Sequence, residues 1–175
     1  DTEHGAIMSS NWITRVESGA DIPIVHEINS AAFTTTDEAH LVDALRDDPH
    51  WIPELSIVAT DELGIVTGCA LLTRCHIGET PALCLGPCAV WPQHQRTGAG
   101  SAAIESALLR ARNRGEKYVV VLGHPSYYPR FGFGRASVHG IRLSIDVPDD
   151  ALMAMSLDGS PLPGGQVRYA APFGI

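Results

Sequence analysis

Between Ala82 and Gly134 the chain reads ALCLGPCAVWPQHQRTGAGSAAIESALLRARNRGEKYVVVLGHPSYYPRFGFG, and the fold is decided by how this stretch is divided. The apolar run Ala82 to Val90 reads as a strand that ends before Pro92. A loop carrying Gln95 and Arg96 leads through Thr97, Gly98, Ala99 and Gly100 into a helical pattern. There Ala103, Ile104, Ala107, Leu108 and Ala111 recur three and four apart and so share one face. Arg110, Arg112 and Arg114 crowd the last turns, where cations complement the helix dipole, and Gly115 supplies a left-handed stop. A helix usually begins with Asp or Glu, because its first N–H groups lack partners and the dipole is positive there. This one begins Gly98, Ala99, Gly100, Ser101, with no carboxylate before Glu105. Such a terminus is open to an anion, and its glycines let a phosphate reach the backbone.

Spacing separates the phosphate loops that work this way. The P-loop needs a Lys after its last Gly, and none follows Gly100. The dinucleotide fingerprint is matched by Gly98, Gly100 and Ala103, but it should follow its strand at once and be answered by an acid about 20 residues on. Here Trp91 to Thr97 intervene, and the next apolar run ends Val121-Leu122-Gly123 without an acid.

The third possibility rests on two motifs in order. Val90-x-Pro92-x-x-Gln95-Arg96-x-Gly98-x-Gly100 resembles motif A of the GNAT superfamily of N-acetyltransferases, and Tyr128-Pro-Arg-Phe-Gly132-Phe133 resembles its motif B. The longer string Leu122 to Phe133 is similar to a bacterial branch of small predicted acetyltransferases with the pattern HPxYYPRFGF. The resemblance implies a mixed α+β fold: a central, mostly antiparallel sheet flanked by helices, its fourth and fifth strands splayed apart around an acyl thioester. It implies acetyl-CoA as cosubstrate, with no metal. By resemblance the backbone N–H of Cys88 sits at the thioester carbonyl, and the edge of Cys88, Ala89 and Val90 pairs with the pantetheine arm. Gln95, Arg96, Thr97, Gly98, Ala99, Gly100 and Ser101 hold the pyrophosphate, and Tyr128 contacts the cofactor and acts as general acid. A phenol suits that task, since its ordinary pKa near 10 lies close to that of a leaving thiol. The family's frequent strand glutamate is replaced here by Cys84, which leaves His76, Glu79 or His124, acting through water, as candidate bases. The implied reaction is direct attack of a primary amine, on a small molecule or a protein, in a ternary complex. The alternative is a catalytically silent acyl-CoA-binding sensor or interaction module.

Composition bounds these readings. The chain has 175 residues, 45% of them hydrophobic, enough for one domain. Residues 1–11 are expected to be a mobile end and 12–175 a single acyl-CoA N-acyltransferase domain, with a core over 12–147 and a packed tail over 148–175. Twenty acidic against 12 basic residues give a net charge of −8, which disfavours nucleic acid as partner and mildly favours a cationic acceptor. Cys69, Cys75, Cys84 and Cys88 lie in apolar runs without C-x-x-C spacing, so buried thiols in a reducing cytoplasm are expected rather than a zinc site. No apolar run approaches about 18 residues, so no membrane span is expected. The protein is expected to be a monomer or a homodimer.

In order, Trp12 to Glu17 reads as a first strand. Asp21 is expected to cap a helix with Ile24, Ile28, Ala31 and Ala32 inward. A second helix is expected from Asp37 to Asp47 with Leu41, Ala44 and Leu45 inward. Leu55–Thr60 and Ile65–Ile77 form a hairpin around Asp61 to Gly64. Gly86-Pro87 predicts a bulge or local opening of its strand. Lys117–Leu122 reads as a buried strand, Val138–Val147 as a late one by its alternation, and Gln166–Tyr169 as a short strand in the tail. The acceptor pocket is expected from the first helices, the Thr34–Asp37 loop and the tail.

Overall fold

The twelve-residue strand Val66–Ile77 is the axis of the sheet, and its neighbours on both sides place the site. The computed structural model describes residues 6–9 and 11–175. Strands β1 (Ile7–Ser9), β2 (Trp12–Val16), β3 (Ser56–Thr60), β4 (Val66–Ile77) and β5 (Thr80–Leu85) follow one another antiparallel across the sheet. β7 (Tyr118–Leu122) then lies parallel to β5, with Cys84 opposite Val120. β10 (Leu152–Ser156) is antiparallel to β7, and β8 (Gly134–Arg135) lies beyond it.

The run Ala82–Val90 is two strands. β5 pairs with the second half of β4, Leu72↔Leu85 through Ile77↔Thr80. The chain leaves the ladder at Gly86, passes a cis Gly86–Pro87 bond, and re-pairs as β6 (Ala89–Val90) against Cys69 and Gly68 of the first half. Among the described residues β6 has no second neighbour. The sheet therefore opens between β6 and β7, as the Gly86-Pro87 pair predicts: proline has no N–H to give a ladder. The β3–β4 hairpin also forms as expected, with the Asp61 carboxylate accepting the N–H groups of Leu63 and Ile65 and Gly64 at φ +82°.

Successive strand residues face opposite sides, and the two faces are covered differently. Ile57, Ala59, Ala70, Leu72, Leu83, Leu85, Val119 and Val121 pack under α3 (Ala99–Asn113) through Ala102, Ala103, Ile104, Ala107 and Ala111. The alanine face lets this helix lie close to the strands. On the other face, Val58, Cys69, Leu71 and Ala89 meet α1 (Ile22–Ala32) and α2 (Asp37–Arg46). Cys75, Ala82, Cys84 and Val120 meet instead the late segment carrying β9 (Ile141–Arg142) and β11 (Gly165–Arg168). Two separate covers thus share one face, and they meet above the opening.

Five expectations need correction. The Asp21 carboxylate does not cap α1; it takes the Arg15 guanidinium at 2.6 and 3.0 Å and the Ser18 N–H at 2.7 Å. α1 buries Val25, Ile28 and Asn29, and α2 buries Ala39, Val42 and Leu45, so each apolar stripe is rotated by about one residue from the expected one. The stretch Val138–Val147 is not a strand beyond Ile141–Arg142, because Gly140 turns the chain at φ +75°. The strand beside β7 comes from Leu152–Ser156, inside the presumed tail. Ile7–Ser9, expected to be part of a mobile end, pairs with β2; residues 1–5 and 10 of that expectation lie outside the described residues.

Candidate active site

The loop from β6 to α3 presents its backbone. Pro92–His94 forms one short turn, and residues 92–98 are exposed. The Trp12 indole donates to the Thr97 carbonyl at 2.9 Å and fixes the loop from β2, on the face that α3 covers. Arg96 and Gly98 take left-handed φ of 65° and 93°, which aims the chain into the helix. The α3 ladder begins with the Ala102 N–H on the Gly98 carbonyl, so the N–H groups of Ala99, Gly100 and Ser101 precede any helical acceptor. No acid occupies the first turn, and Gly98 caps the helix without a side chain. Gly100 is required by proximity, since a Cβ there would stand 3.0 Å from Val90 Cγ2. Ala99 is 1% exposed and belongs to the core.

Two cavities adjoin at the opening of the sheet. The smaller, about 220 Å³, brings together Cys88, Ala89, Val90, Gln95, Gly100 and Tyr128 of the predicted residues. Arg96, Thr97, Gly98, Ala99 and Ser101 do not line it; they continue from it along the loop and the first turn of α3. The larger, about 560 Å³, lies where the two covers meet. Phe33, Cys88, Tyr127 and Tyr128 line both.

Tyr128 is half-buried, its ring over Gly123, where a Cβ would come within 2.3 Å of it, and edge-on to Tyr127 at 5.1 Å. Loss of solvation, chiefly, raises its phenol above the ordinary value, with Cys88 and Tyr127 adding to the effect. Tyr127 is held elsewhere: its hydroxyl is 3.0 Å from Ser101 Oγ, and Arg130 lies over its ring at 4.2 Å. Cys88 sits in the ladder-free break between β5 and β6. Although partly exposed, its thiol is pushed up to about 12 by the apolar walls, which argues against a thiolate nucleophile. Of the candidate bases, His124 lines the larger cavity and is 2.8 Å from Ser126 Oγ. His76 and Glu79 lie at the far end of the β4–β5 hairpin and line neither cavity.

Of the segments expected around an acceptor, Phe33, Glu38 and Leu41 from the first helices and Tyr169, Phe173 and Ile175 from the tail line the larger cavity, whereas no residue of the Thr34–Asp37 loop lines either cavity. Glu38 and Tyr169 were not singled out by the sequence. An acid in the first turn of a helix is ordinary, and Tyr169 sits in no motif. Among the described residues no group of three or more His, Cys, Asp or Glu side chains could hold a metal ion, and no helix is long and apolar enough to cross a membrane.

This geometry, a strand broken beside an opened sheet and a bare helix N-terminus at the same gap, is that of an acyltransferase, and comparison with known proteins agrees. The model of the acetyltransferase (GNAT) family matches residues 22–133. The uncharacterized N-acetyltransferase YjhQ of Escherichia coli is 35% identical over 162 residues, 87% of this chain and 89% of that one. The crystal structure of the E. coli GNAT family N-acetyltransferase YhbS in complex with CoA superposes with a TM-score of 0.85 at 26% identity, covering 98% of this chain and 97% of that one. A GNAT family acetyltransferase from Brucella melitensis in complex with acetyl-CoA gives 0.77 at 27% identity, covering 94% and 99%. The chain belongs to the GNAT family of acetyltransferases.

Proposed function

We propose that the protein transfers the acetyl group of acetyl-CoA to a primary amine by direct attack in a ternary complex. One observation carries this reading: the unsatisfied end of α3, the open edge of β6 and Tyr128 converge on one cavity that joins a second, separate one. The N–H groups of Ala99, Gly100 and Ser101, with Gln95, Arg96, Thr97 and Gly98 of the loop, would hold the pyrophosphate. The free edge of Cys88, Ala89 and Val90 would take the pantetheine amides as an added strand. The Cys88 N–H would meet the thioester oxygen. The amine lone pair forms the new C–N bond and the C–S bond breaks; the departing sulfur takes the Tyr128 proton, and the proton shed by nitrogen restores the phenol. Tyr128 and the leaving thiol share one apolar enclosure that raises both, as it raises Cys88, so their proton affinities stay comparable.

The four free cysteines and the dependence on acetyl-CoA fit a reducing compartment, and the proposal includes a cytoplasmic location for a single-domain enzyme, a monomer or homodimer, that needs no metal or nucleic acid. No observation favours the silent-sensor reading. The test is calorimetric titration of the protein and of Ser101→Asp with acetyl-CoA. A carboxylate in the first turn stabilises the helix by roughly 0.3–1 kcal/mol while repelling the pyrophosphate. The expected outcome is therefore binding at least about tenfold weaker in a variant whose melting temperature is unchanged or higher. Equal affinity would remove the pyrophosphate from this terminus, and no binding by the unaltered protein would overturn the reading.

A further inference from the structure

We infer that Glu38 selects the acceptor by drawing in, as its ammonium, a small primary amine with an aromatic-sized apolar body, and takes one ammonium proton before the freed lone pair attacks; the inference rests on the transferase reading above. Phe33 and Leu41 wall the larger cavity from the helical cover, and Tyr169 and Phe173, whose rings lie 5.2 Å apart, wall it from the other. Among the described residues Glu38 is the one carboxylate side chain lining it, and no Lys or Arg does. The field inside therefore favours a cation over an anion.

Glu38 belongs to the first turn of α2, where Asp37 already supplies an acid for the dipole. A carboxylate serving the dipole alone would keep its oxygens in water. Instead Glu38 Oε2 is shut off from solvent and has no hydrogen-bond partner among the described residues. A buried, unpaired carboxylate oxygen costs free energy that an arriving cation offsets. The Tyr169 hydroxyl, in the same cavity, is likewise buried and unpartnered. Loss of solvation raises that phenol, so it stays neutral and able to accept an N–H. An ammonium carries three donors and no acceptor, and so suits a cavity whose unpaired polar atoms are oxygens. The aromatic side chains among the walls can add cation–π attraction. The volume, about 560 Å³, is that of a small-molecule site.

The probe is 2-phenylethylamine, with phenylalanine as the counterpart bearing a carboxylate beside its amine and 2-phenylethanol as the uncharged one. Release of CoA thiol is expected to saturate with 2-phenylethylamine and to be at least tenfold less efficient with phenylalanine. Glu38→Gln is expected to raise the KM for 2-phenylethylamine at least tenfold, leave the KM for acetyl-CoA within twofold, and narrow the preference over phenylalanine. An unchanged amine KM, or a preference for phenylalanine, overturns the inference while acetyl-CoA binding keeps the transferase reading intact; absence of acetyl-CoA binding overturns both. Should Glu38→Gln fail to fold, titration of the unaltered protein saturated with CoA decides. At least tenfold tighter binding of 2-phenylethylamine than of 2-phenylethanol supports the inference, and equal binding overturns it.

Discussion

Tyr128 and Tyr127 are adjacent in sequence and edge to edge in space, yet their surroundings give them different work. Tyr127 spends its hydroxyl on Ser101 and its ring face on Arg130, tying the motif B turn to the first turn of α3. Tyr128 lines both cavities, and burial keeps its proton in place. Removing one catalytic proton donor costs on the order of 10²-fold in rate. Tyr128→Phe is accordingly expected to lower kcat by about 10²-fold and leave the acetyl-CoA dissociation constant within about twofold. Because the phenol titrates above its ordinary value, the unaltered enzyme should lose no activity to Tyr128 ionisation as pH rises toward 10. A steady-state pH profile of both proteins checks this, and equal kcat throughout would remove Tyr128 from the role. The place of Tyr128 at the cavities was legible because it belongs to a motif of fixed spacing. Glu38 was not, since nothing in a sequence distinguishes a first-turn acid facing solvent from one enclosed by a segment more than 130 positions away.

Among the elements, the junction of β2 and α1 depends on one carboxylate. Asp21 accepts both guanidinium nitrogens of Arg15 from β2, the Ser18 N–H and the Ser18 hydroxyl. Arg15 first, then Ser18, hold its pKa down to about 2 from 3.8, against the opposing effect of burial. A depressed carboxylate pKa contributes stability that is complete above the unfolded value and vanishes as pH falls through the folded one. The shift corresponds to about 2 kcal/mol. Asp21→Asn is expected to lose about that much near pH 7, with the difference shrinking below pH about 4 and gone only below pH about 2, as measured by urea unfolding across pH. The elements themselves were mostly legible where apolar period and punctuation agreed: α3, the β3–β4 hairpin and β7. The alternation of Val138–Val147 misled because a period of two does not reveal whether an edge is available. That place beside β7 is filled by Leu152–Ser156, four residues of which are buried. A run apolar on both faces says little about which side it will occupy.

At the scale of the molecule, two polar bridges fasten the helical layers to the sheet. Arg46 of α2 grips Glu17 through both nitrogens, and Ser56 of β3 adds a third bond to that carboxylate. Arg74 of β4 grips Glu116 between α3 and β7 in the same way. Helices fixed so firmly leave the sheet little freedom, and β4 restricts it further, because one continuous strand serves both halves. Gly68 and Cys69 pair with β3 on one side and β6 on the other, and from Leu72 onward the same strand pairs with β5. Cooperative units of a protein release their amide hydrogens together, at the free energy of their own opening. The β4 amides bonded into these ladders are therefore expected to exchange with deuterium only through global unfolding, with equal protection on either side of Leu71. Faster exchange confined to 72–77 would show that the half-sheets part independently. If protection is uniform, the width of the gap is a fixed dimension of the protein, and ligands come and go without any parting of the strands that bound it.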